Sequence, residues 1–272
     1  MNALTDRAAL LRNRRRAART GNAALFLHEA ARDEIKDRLQ LVNKTFKEIA
    51  LVSGFPDFWG GAFAGATQVG DDETLALEPA AHDLAIHAMC LHWANDPVGQ
   101  LIQLRRALRP DGLFLGVLFG GETLHELRTA LSQAESDLVG GLSARVAPMA
   151  EIRDLGALLQ RAGFALPVAD SLPLTVTYTS PRALIGDLRA MGEGNALMAR
   201  QKTAMGRALF DRASEIYARQ FGDADGRITA TFELIFLTGW APDESQPQPL
   251  RPGSATARLA DALGATEKPL ND

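Results

Sequence analysis

"EIALVSGFPDFWGG", residues 48–61, joins a short apolar run to a turn that contains glycine and proline. The run "IALVS" is bounded by polar residues and then by Gly54 and Pro56, as in a buried parallel strand that ends at a turn. In open parallel sheets a ligand binds at the carboxyl ends of the strands, where glycine lets the backbone approach it. Gly54 is the single glycine at this turn, and Phe55 and Phe58 add bulk beside it. The stretch therefore predicts a parallel sheet whose ligand-binding turn is reduced.

Strand and helix signals alternate after this stretch. The apolar run at residues 83–88 is followed by Asp96 and Pro97, which suit the N-cap and the first position of a helix. A Pro-Asp-Gly turn then leads into the run "LFLGVLF". Near the C-terminus, "LPLTVTY" and "ITATFELIFLTGWA" predict two late antiparallel strands. We predict three parts, which are a basic arm and helix over 1–45, an α/β domain over 46–241, and a proline-rich irregular tail over 242–272.

Composition restricts the class of protein. The chain has 272 residues, of which 46% are apolar, so it can bury one sizeable core. Cys90 is the only cysteine, which excludes an internal disulfide and is typical of a reducing compartment. No apolar run reaches the length of a membrane span. We expect a cytoplasmic protein without an integral membrane segment.

The N-terminal arm is strongly basic. Residues 1–20 contain six arginines and one acidic residue, Asp6, whereas the whole chain has a net charge of −4. Such an arm can be an organellar transit peptide, a nucleic-acid-binding tail or a surface helix. The arm has no interleaved aromatic residues and the rest of the chain is acidic, so we expect no nucleic-acid partner.

Two motifs carry a resemblance to a known family, "DLAIHAMCLHWANDP" at 83–97 and "LRRALRPDGLFLGVLFGGETLHELR" at 104–128. Together they resemble the class I S-adenosylmethionine-dependent methyltransferases. The branch is the one that holds the carrier-protein methyltransferase of biotin synthesis and the methyltransferase-like assembly factor of respiratory complex I. The similarity to the assembly factor continues through residues 140–164, 187–197 and 225–255, and backward into the arm. The arm then looks like the start of the family domain, which favours a surface helix in a bacterial cytoplasmic protein over a transit peptide.

The resemblance implies a Rossmann-like α/β sheet with antiparallel C-terminal edge strands, and S-adenosylmethionine as the cofactor. Only 27 residues separate Gly54 from His82, whereas the family pattern needs about two βα units there. The sheet is therefore expected to be shortened between the first and fourth strands of the family. A helix over 56–64 and a short strand over 66–69 would just fit the gap.

Candidate cofactor residues lie on both sides of this gap. Asp71 matches the family acid that accepts from the adenine amino group, and Asp72 follows it, although a solvated acidic turn is the alternative. A histidine inside a strand is more often a hydrogen-bonded core residue than a ligand contact. The short segment leaves no evident place for an acid on the ribose hydroxyls, so cofactor binding is predicted to be weak or lost. The full candidate set is Ser53, Gly54, Asp71, Asp72 and His87.

Candidate substrate or partner residues follow the later strands. Each has a structural alternative, because tryptophan can cap a core, acidic residues cap helix starts and arginines form surface ion pairs. The arginines in the set suit a carboxylate or an acidic protein. The histidines at 82, 87 and 92 do not have zinc-ligand spacing, so we assign no metal. The set is His92, Trp93, Glu122, Thr123, Arg128, Arg145 and Asn195.

Two functions stay open from the sequence. The first is a methyltransferase-like protein with a degenerate cofactor site that assists the assembly or modification of a complex I subunit. Resemblance to the assembly factor implies that partner, and in that family the chemistry is linked to arginine modification. The second is an active S-adenosylmethionine-dependent methyltransferase that acts on a carboxyl or other small acceptor. Whether the protein is an enzyme is left undecided.

Overall fold

Six strands form one mixed sheet within residues 3–21, 24–247 and 264, which are the residues that the computed structural model describes. The strand order is β2-β1-β3-β4-β6-β5. Strands β1 to β4 are parallel, and β6 runs antiparallel to both β4 and β5. The strands are β1 (Ile49–Ser53), β2 (Thr67–Val69), β3 (His82–Ala88), β4 (Leu108–Phe119), β5 (Ala165–Tyr178) and β6 (Ile228–Trp240).

Eight α-helices accompany the sheet in the described part of the chain. They are α1 (Arg7–Ala17), α2 (Phe26–Leu41), α3 (Pro56–Gly60), α4 (Pro97–Ala107), α5 (His125–Val139), α6 (Ile152–Ala162), α7 (Pro181–Ala190) and α8 (Arg207–Phe221). Asp96 caps α4 as predicted, because its carboxylate accepts from Gly99 N at 2.8 Å and Pro97 follows it. Gly163 ends α6 at a φ of +82°, which glycine adopts without strain.

The fold class is the one predicted, a parallel α/β sheet with antiparallel strands at its C-terminal edge. The segment between β1 and β3 is short, as the sequence indicated. It holds only the five-residue helix α3 and the three-residue strand β2. A single reduced crossover therefore stands where two βα units would extend the sheet.

Two apolar layers cover the sheet because neighbouring residues of a strand face opposite sides. Leu51 belongs to the layer formed with α2, α5 and α8, whereas Val52 belongs to the layer formed with α4 and α6. Both side chains are fully buried. Helices on both faces are what a buried parallel sheet requires.

The basic arm belongs to the same unit as the sheet. Helix α1 buries Ala9 and Leu10 in a small apolar cluster with Trp93, Ala147 and Leu197. These partners follow strands or connect helices, so α1 lies over the carboxyl edge of the sheet. The predicted boundary at residue 45 therefore does not separate the arm from the domain.

The chain divides into two units, residues 1–242 and 243–272. In the second unit, the Asp243 carboxylate accepts from Ser245 N at 2.9 Å and from Ser245 Oγ at 2.6 Å. Most of the tail predicted over 242–272 lies outside the described residues. No helix of the described part is both long and apolar enough to cross a membrane.

Candidate functional site

The carboxyl ends of β1 and β2 meet at a cavity of about 590 Å³. Ser53 ends β1 and Gly54 follows it, while Gly70 and Asp71 follow β2. Since β1 and β2 are parallel neighbours, Gly54 and Asp71 line the same cavity. We call it the Asp71 cavity.

Asp71 lies at a position for which the sequence offered no candidate, the position of an acid that binds ribose hydroxyls. In an open sheet, the acid that binds ribose hydroxyls follows the strand beside the glycine turn. Asp71 follows β2, which pairs directly with β1. Asp71 therefore lies at the sheet position that such an acid occupies, although the sequence predicted an adenine contact for it.

Two arginines of the N-terminal helix hold Asp71. Arg14 donates from both terminal nitrogens, at 2.7 Å to Oδ1 and 2.9 Å to Oδ2, and Arg7 donates to Oδ1 at 2.6 Å. The Arg14 and Asp71 side chains are only 7% and 3% exposed. Burial acts to raise the pKa of Asp71, but the hydrogen bonds from Arg7 and Arg14 outweigh it and hold that pKa well below its usual range. Asp71 is thus a buried carboxylate whose charge is balanced by two arginines of the same chain.

Arg14 also covers the glycine turn. A Cβ atom added at Gly54 would overlap the Arg14 guanidinium. The missing side chain at Gly54 therefore makes room for the protein's own arginine. Phe55 packs edge-on against His28, with ring centroids 5.1 Å apart, and its ring lies against Gly192.

Helix α1 separates the Asp71 cavity from a second one. Arg7, Arg14 and Arg15 line the Asp71 cavity. Arg12 and Arg16, on another face of the helix, line a cavity of about 690 Å³ that also contacts Trp93. We call this second space the Trp93 cavity. The wall between the two cavities is the arginine-rich arm.

A buried acidic group lies at that wall. The Glu193 carboxylate accepts from Trp93 Nε1 at 2.8 Å and from His92 Nε2 at 3.3 Å. Burial acts to raise the pKa of Glu193, but the nearby His92 and Arg14 lower it overall. His92 and Trp93 were predicted to face a substrate together. Trp93 does line a cavity, whereas the His92 side chain is 2% exposed and serves Glu193.

A second buried histidine lies near this acid. Trp59 Nε1 donates to His28 Nδ1 at 3.0 Å, so the remaining proton of neutral His28 is on Nε2. Burial lowers the pKa of His28 to about 4. Among the described residues, neither His28 Nε2 nor His92 Nδ1 has a hydrogen-bond partner. Each of these two buried imidazoles therefore has one ring nitrogen without a hydrogen-bond partner among the described residues.

His87 was a candidate cofactor residue, and its surroundings give it another role. It is fully buried and lines neither cavity. Its Nε2 contacts Gln100 Oε1 at 2.9 Å, and Gln100 Nε2 donates to the carbonyl oxygens of Asp71 at 3.1 Å and Asp72 at 2.9 Å. His87 therefore positions the acidic loop through Gln100, whose side chain bonds both the imidazole and the loop carbonyls. The Asp72 side chain is 70% exposed and accepts from Arg7.

Gln100→Met is expected to lower the free energy of unfolding by about 3 kcal/mol, because it strands the His87 donor and two loop carbonyls without partners. Gln103→Met is the matched control one helical turn later, where Gln103 bonds partly exposed backbone. We expect that variant to cost about 1 kcal/mol. Urea unfolding of both variants measures the difference. Equal costs would contradict a positioning role for Gln100.

The residues around the start of α5 act structurally. Thr123 exchanges hydrogen bonds with the Glu233 backbone, at 3.1 and 3.2 Å, and so joins the helix start to β6. Arg128 donates to the carbonyl oxygens of Gly121 at 3.4 Å and Thr123 at 3.2 Å. Glu122 is exposed, and its backbone N–H donates to the Glu233 carboxylate at 3.1 Å. Of these predicted partner residues, only Thr123 lines the Trp93 cavity.

Arg145 and Asn195 do meet, at the Trp93 cavity. Asn195 Nδ2 donates to the carbonyl oxygens of Ala144 at 2.7 Å and Arg145 at 3.0 Å. Arg145 is paired with Glu135 at 2.6 Å. Asn195 thus ties the loop after α7 to the loop after α5 beside the Trp93 cavity.

Sequence reasoning missed Arg7, Arg14, Glu193 and His28. A signal existed for the first two, since residues seven apart on a helix share one face and can reach one carboxylate. Glu193 lies two residues before the candidate Asn195, in the motif "GEGN". Within the described ranges, no group of three His, Cys, Asp or Glu residues could hold a metal ion.

Comparisons with known proteins identify relatives of this chain. The family described as "Methyltransferase domain" matches residues 41–116. The chain is 38% identical over 191 residues to "Arginine-hydroxylase NDUFAF5, mitochondrial" of Danio rerio, a match that covers 70% of this chain and 59% of that protein. It is 31% identical to the malonyl-[acyl-carrier protein] O-methyltransferase of Gallionella capsiferriformans, covering 75% of this chain and 67% of that protein. An S-adenosylmethionine-dependent methyltransferase structure from Thermotoga maritima is 11% identical with a TM-score of 0.44, covering 85% of this chain and 99% of that chain.

The mixed sheet, with a cavity at the carboxyl ends of β1 and β2, has the fold of the class I S-adenosylmethionine-dependent methyltransferases. The chain belongs to the methyltransferase-domain family, with arginine-hydroxylases and carrier-protein O-methyltransferases among its relatives. It spans less than two thirds of the length of the arginine-hydroxylase relative given above.

Proposed function

We propose that this protein is a methyltransferase-like factor that assists the assembly or modification of a respiratory complex I subunit. In this proposal its S-adenosylmethionine site is weakened by its own N-terminal helix. The observation that carries the proposal is the position of Arg14, which covers Gly54 and holds Asp71 in a buried bidentate pair. Gly54 and Asp71, the two residues that a nucleoside ligand would use at the Asp71 cavity, are therefore already in contact with Arg14.

The fit of the cofactor to these residues is partial. The Asp71 cavity is large enough for a nucleoside, and Asp71 and Gly54 are the residue types that would hold one. S-adenosylmethionine would supply an electrophilic methyl group there. Before a ligand could bond to Asp71, Arg14 would have to release it. Breaking a buried ion pair costs about 3 kcal/mol, which corresponds to roughly 100-fold weaker binding.

The partner is proposed from the relatives and from the chemistry of the edge. A relative 38% identical to this chain is named as an arginine-hydroxylase. Asp71 at the ligand edge already binds two guanidinium groups of its own chain. An arginine side chain of a partner protein would suit the same carboxylate once Arg7 and Arg14 had released it. We therefore propose an arginine-containing segment of a complex I subunit as the partner.

Active methyl transfer is the second candidate. It is favoured by the size of the Asp71 cavity and by the carboxylate at the end of β2. Transfer requires the methyl donor and the acceptor to lie in contact. Since α1 lies between the Asp71 and Trp93 cavities, an acceptor in the second cavity would reach the donor only after α1 moved. This geometry makes methyl transfer the less supported candidate.

Calorimetric titration of the purified protein with S-adenosylmethionine and S-adenosylhomocysteine tests the cofactor part. We expect a Kd of about 1 mM or weaker for the wild type, because the ion pair opposes binding. Asp71→Asn serves as the control for the location of any heat that is seen. Micromolar binding that Asp71→Asn abolishes would favour the active methyltransferase.

The partner part has its own test. Removal of the protein from its host cell is expected to lower the amount of assembled complex I on native gels. Re-expression of the wild type should restore the complex. Normal assembly without the protein would contradict the proposed partner, whatever the result of the titration. A cytoplasmic location is part of this proposal, although the Danio rerio relative is named as mitochondrial.

A further inference from the structure

The Trp93 cavity has the size of a small-molecule site. Its volume of about 690 Å³ lies within the range of roughly 300 to 1,000 Å³ that ligand pockets occupy. It lies on the far side of α1 from Gly54 and Asp71, neither of which lines it. None of the proposed cofactor residues lines the Trp93 cavity.

The interior of the cavity is apolar. Phe119 at the end of β4, Phe232 of β6 and Leu127 of α5 contribute buried side chains to it. Leu188 of α7 and Met149 of the connecting loop add to the same lining. Such surfaces gain free energy when a hydrocarbon chain replaces water.

The rim carries positive charge in excess. One carboxylate, Glu193, is among the lining residues, and it already accepts from Trp93 and His92. The cationic lining residues come from α1, α7 and the loops that follow α5 and α7. They are Arg12, Arg16, Arg145, Arg189, Arg200 and Lys202.

Four of these six cations form no ion pair with another described residue. Arg145 is paired with Glu135 at 2.6 Å and Arg200 with Asp6 at 2.8 Å. The other four make no ion pair or side-chain hydrogen bond within the described ranges. An anion at this rim would therefore meet cations that the fold has not already neutralised.

We propose that the Trp93 cavity binds an amphipathic anion, with its hydrocarbon chain in the apolar interior and its carboxylate or phosphate head at the rim. An inorganic anion would leave the apolar lining in water, and a cationic amphiphile would be repelled. This inference is independent of the proposed function, because it requires neither S-adenosylmethionine nor a complex I subunit. Its test uses the purified protein alone.

Dodecanoate is the probe, titrated below its micellar concentration and followed by calorimetry. We expect a Kd of about 10 μM. Dodecyltrimethylammonium has the same chain with a positive head, and acetate has the head without the chain. Both are expected to bind at least about tenfold more weakly. Equal binding of dodecanoate and either compound would overturn the proposal.

Charge variants locate the head group. Arg16→Gln with Arg189→Gln removes two unpaired rim cations and should weaken dodecanoate binding about tenfold. Arg153→Gln with Arg161→Gln is the matched control, since it removes the same charge from exposed positions of α6 outside both cavities. The control is expected to change the Kd less than about twofold. An equal loss in both double variants would mean that only net charge matters and would overturn the site.

A filling variant locates the chain. Ile185→Trp adds volume to the lining without changing charge, and it should abolish dodecanoate binding while the thermal midpoint confirms folding. Unchanged binding in this folded variant would overturn the proposal. Sedimentation with phosphatidylglycerol and phosphatidylcholine vesicles then distinguishes the source of the anion. Retention on the anionic vesicles alone supports a bilayer lipid, whereas binding of soluble dodecanoate alone supports a free acyl anion.

Discussion

Arg14→Met is expected to lower the free energy of unfolding by about 3 kcal/mol while it strengthens S-adenosylmethionine binding roughly 100-fold. The loss of stability follows because Asp71 would stay buried with only Arg7 as its partner. The gain in affinity follows because a ligand would no longer displace a bidentate guanidinium from Asp71. The variant thus exchanges folding stability for an open cofactor site.

Thermal unfolding and calorimetric titration of the same preparation measure both effects. A loss of about 3 kcal/mol corresponds to a fall in Tm of roughly 6 to 12 °C for a domain of this size. Arg15→Met is the matched control, since Arg15 is the exposed neighbour, lines the same cavity and makes no ion pair in the part of the chain that is described. Its expected cost is less than about 0.5 kcal/mol. If Arg14→Met binds the cofactor no better than the wild type does, Arg14 is not what weakens the site.

The protein is expected to lose about 5 kcal/mol of folding stability between pH 7 and pH 4.5, because two buried histidines resist protonation. Burial lowers the pKa values of His28 and His87 to about 4 in the folded state, against an ordinary value of 6.5. Below pH 6.5 the unfolded chain therefore binds more protons than the folded chain. Stability is fully present above that pH and falls as the pH approaches 4.

The charged groups around each histidine do not reverse this direction. Glu193 acts to raise the pKa of His28, while His92 and Arg14 act to lower it, and burial exceeds all three. For His87, burial again exceeds the contacts from Gln100 and Asp71 that raise its pKa. Both histidines therefore contribute to acid sensitivity in the same pH range.

His28→Gln isolates one of the two contributions. The glutamine amide can still accept from Trp59 Nε1 but cannot be protonated, so the loss of stability between pH 7 and pH 4.5 should shrink by about 2 to 3 kcal/mol. Urea unfolding at both pH values gives the difference. His125→Gln, at an exposed side chain, should leave the loss unchanged. An identical loss in His28→Gln and the wild type would show that His28 is not the titrating group.

Local patterns in the sequence were sufficient for the architecture. The run "IALVS" and the Asp96-Pro97 cap each describe one element, and each element forms where it was predicted. The apolar run before residue 120 also forms a strand, but β4 begins at Leu108, so the predicted Pro-Asp-Gly turn lies inside the strand. The 27-residue gap after Gly54 was also sufficient to predict a single reduced crossover. Periodicity and capping act within a few residues, so one chain suffices to read them.

The ion pairs and hydrogen bonds at the carboxyl edge of the sheet depended on tertiary structure. Arg14 and Asp71 are 57 residues apart, and Trp93 and Glu193 are 100 apart, with no periodic signal that links either pair. The role of Gly54 likewise changed once α1 was seen to lie against it. The sequence by itself determined the sheet, its helices and the shortened crossover, because these follow from the local spacing of apolar and capping residues. Only the folded chain decided which carboxylate each buried arginine neutralises, because that choice depends on how α1 docks across strands distant in sequence.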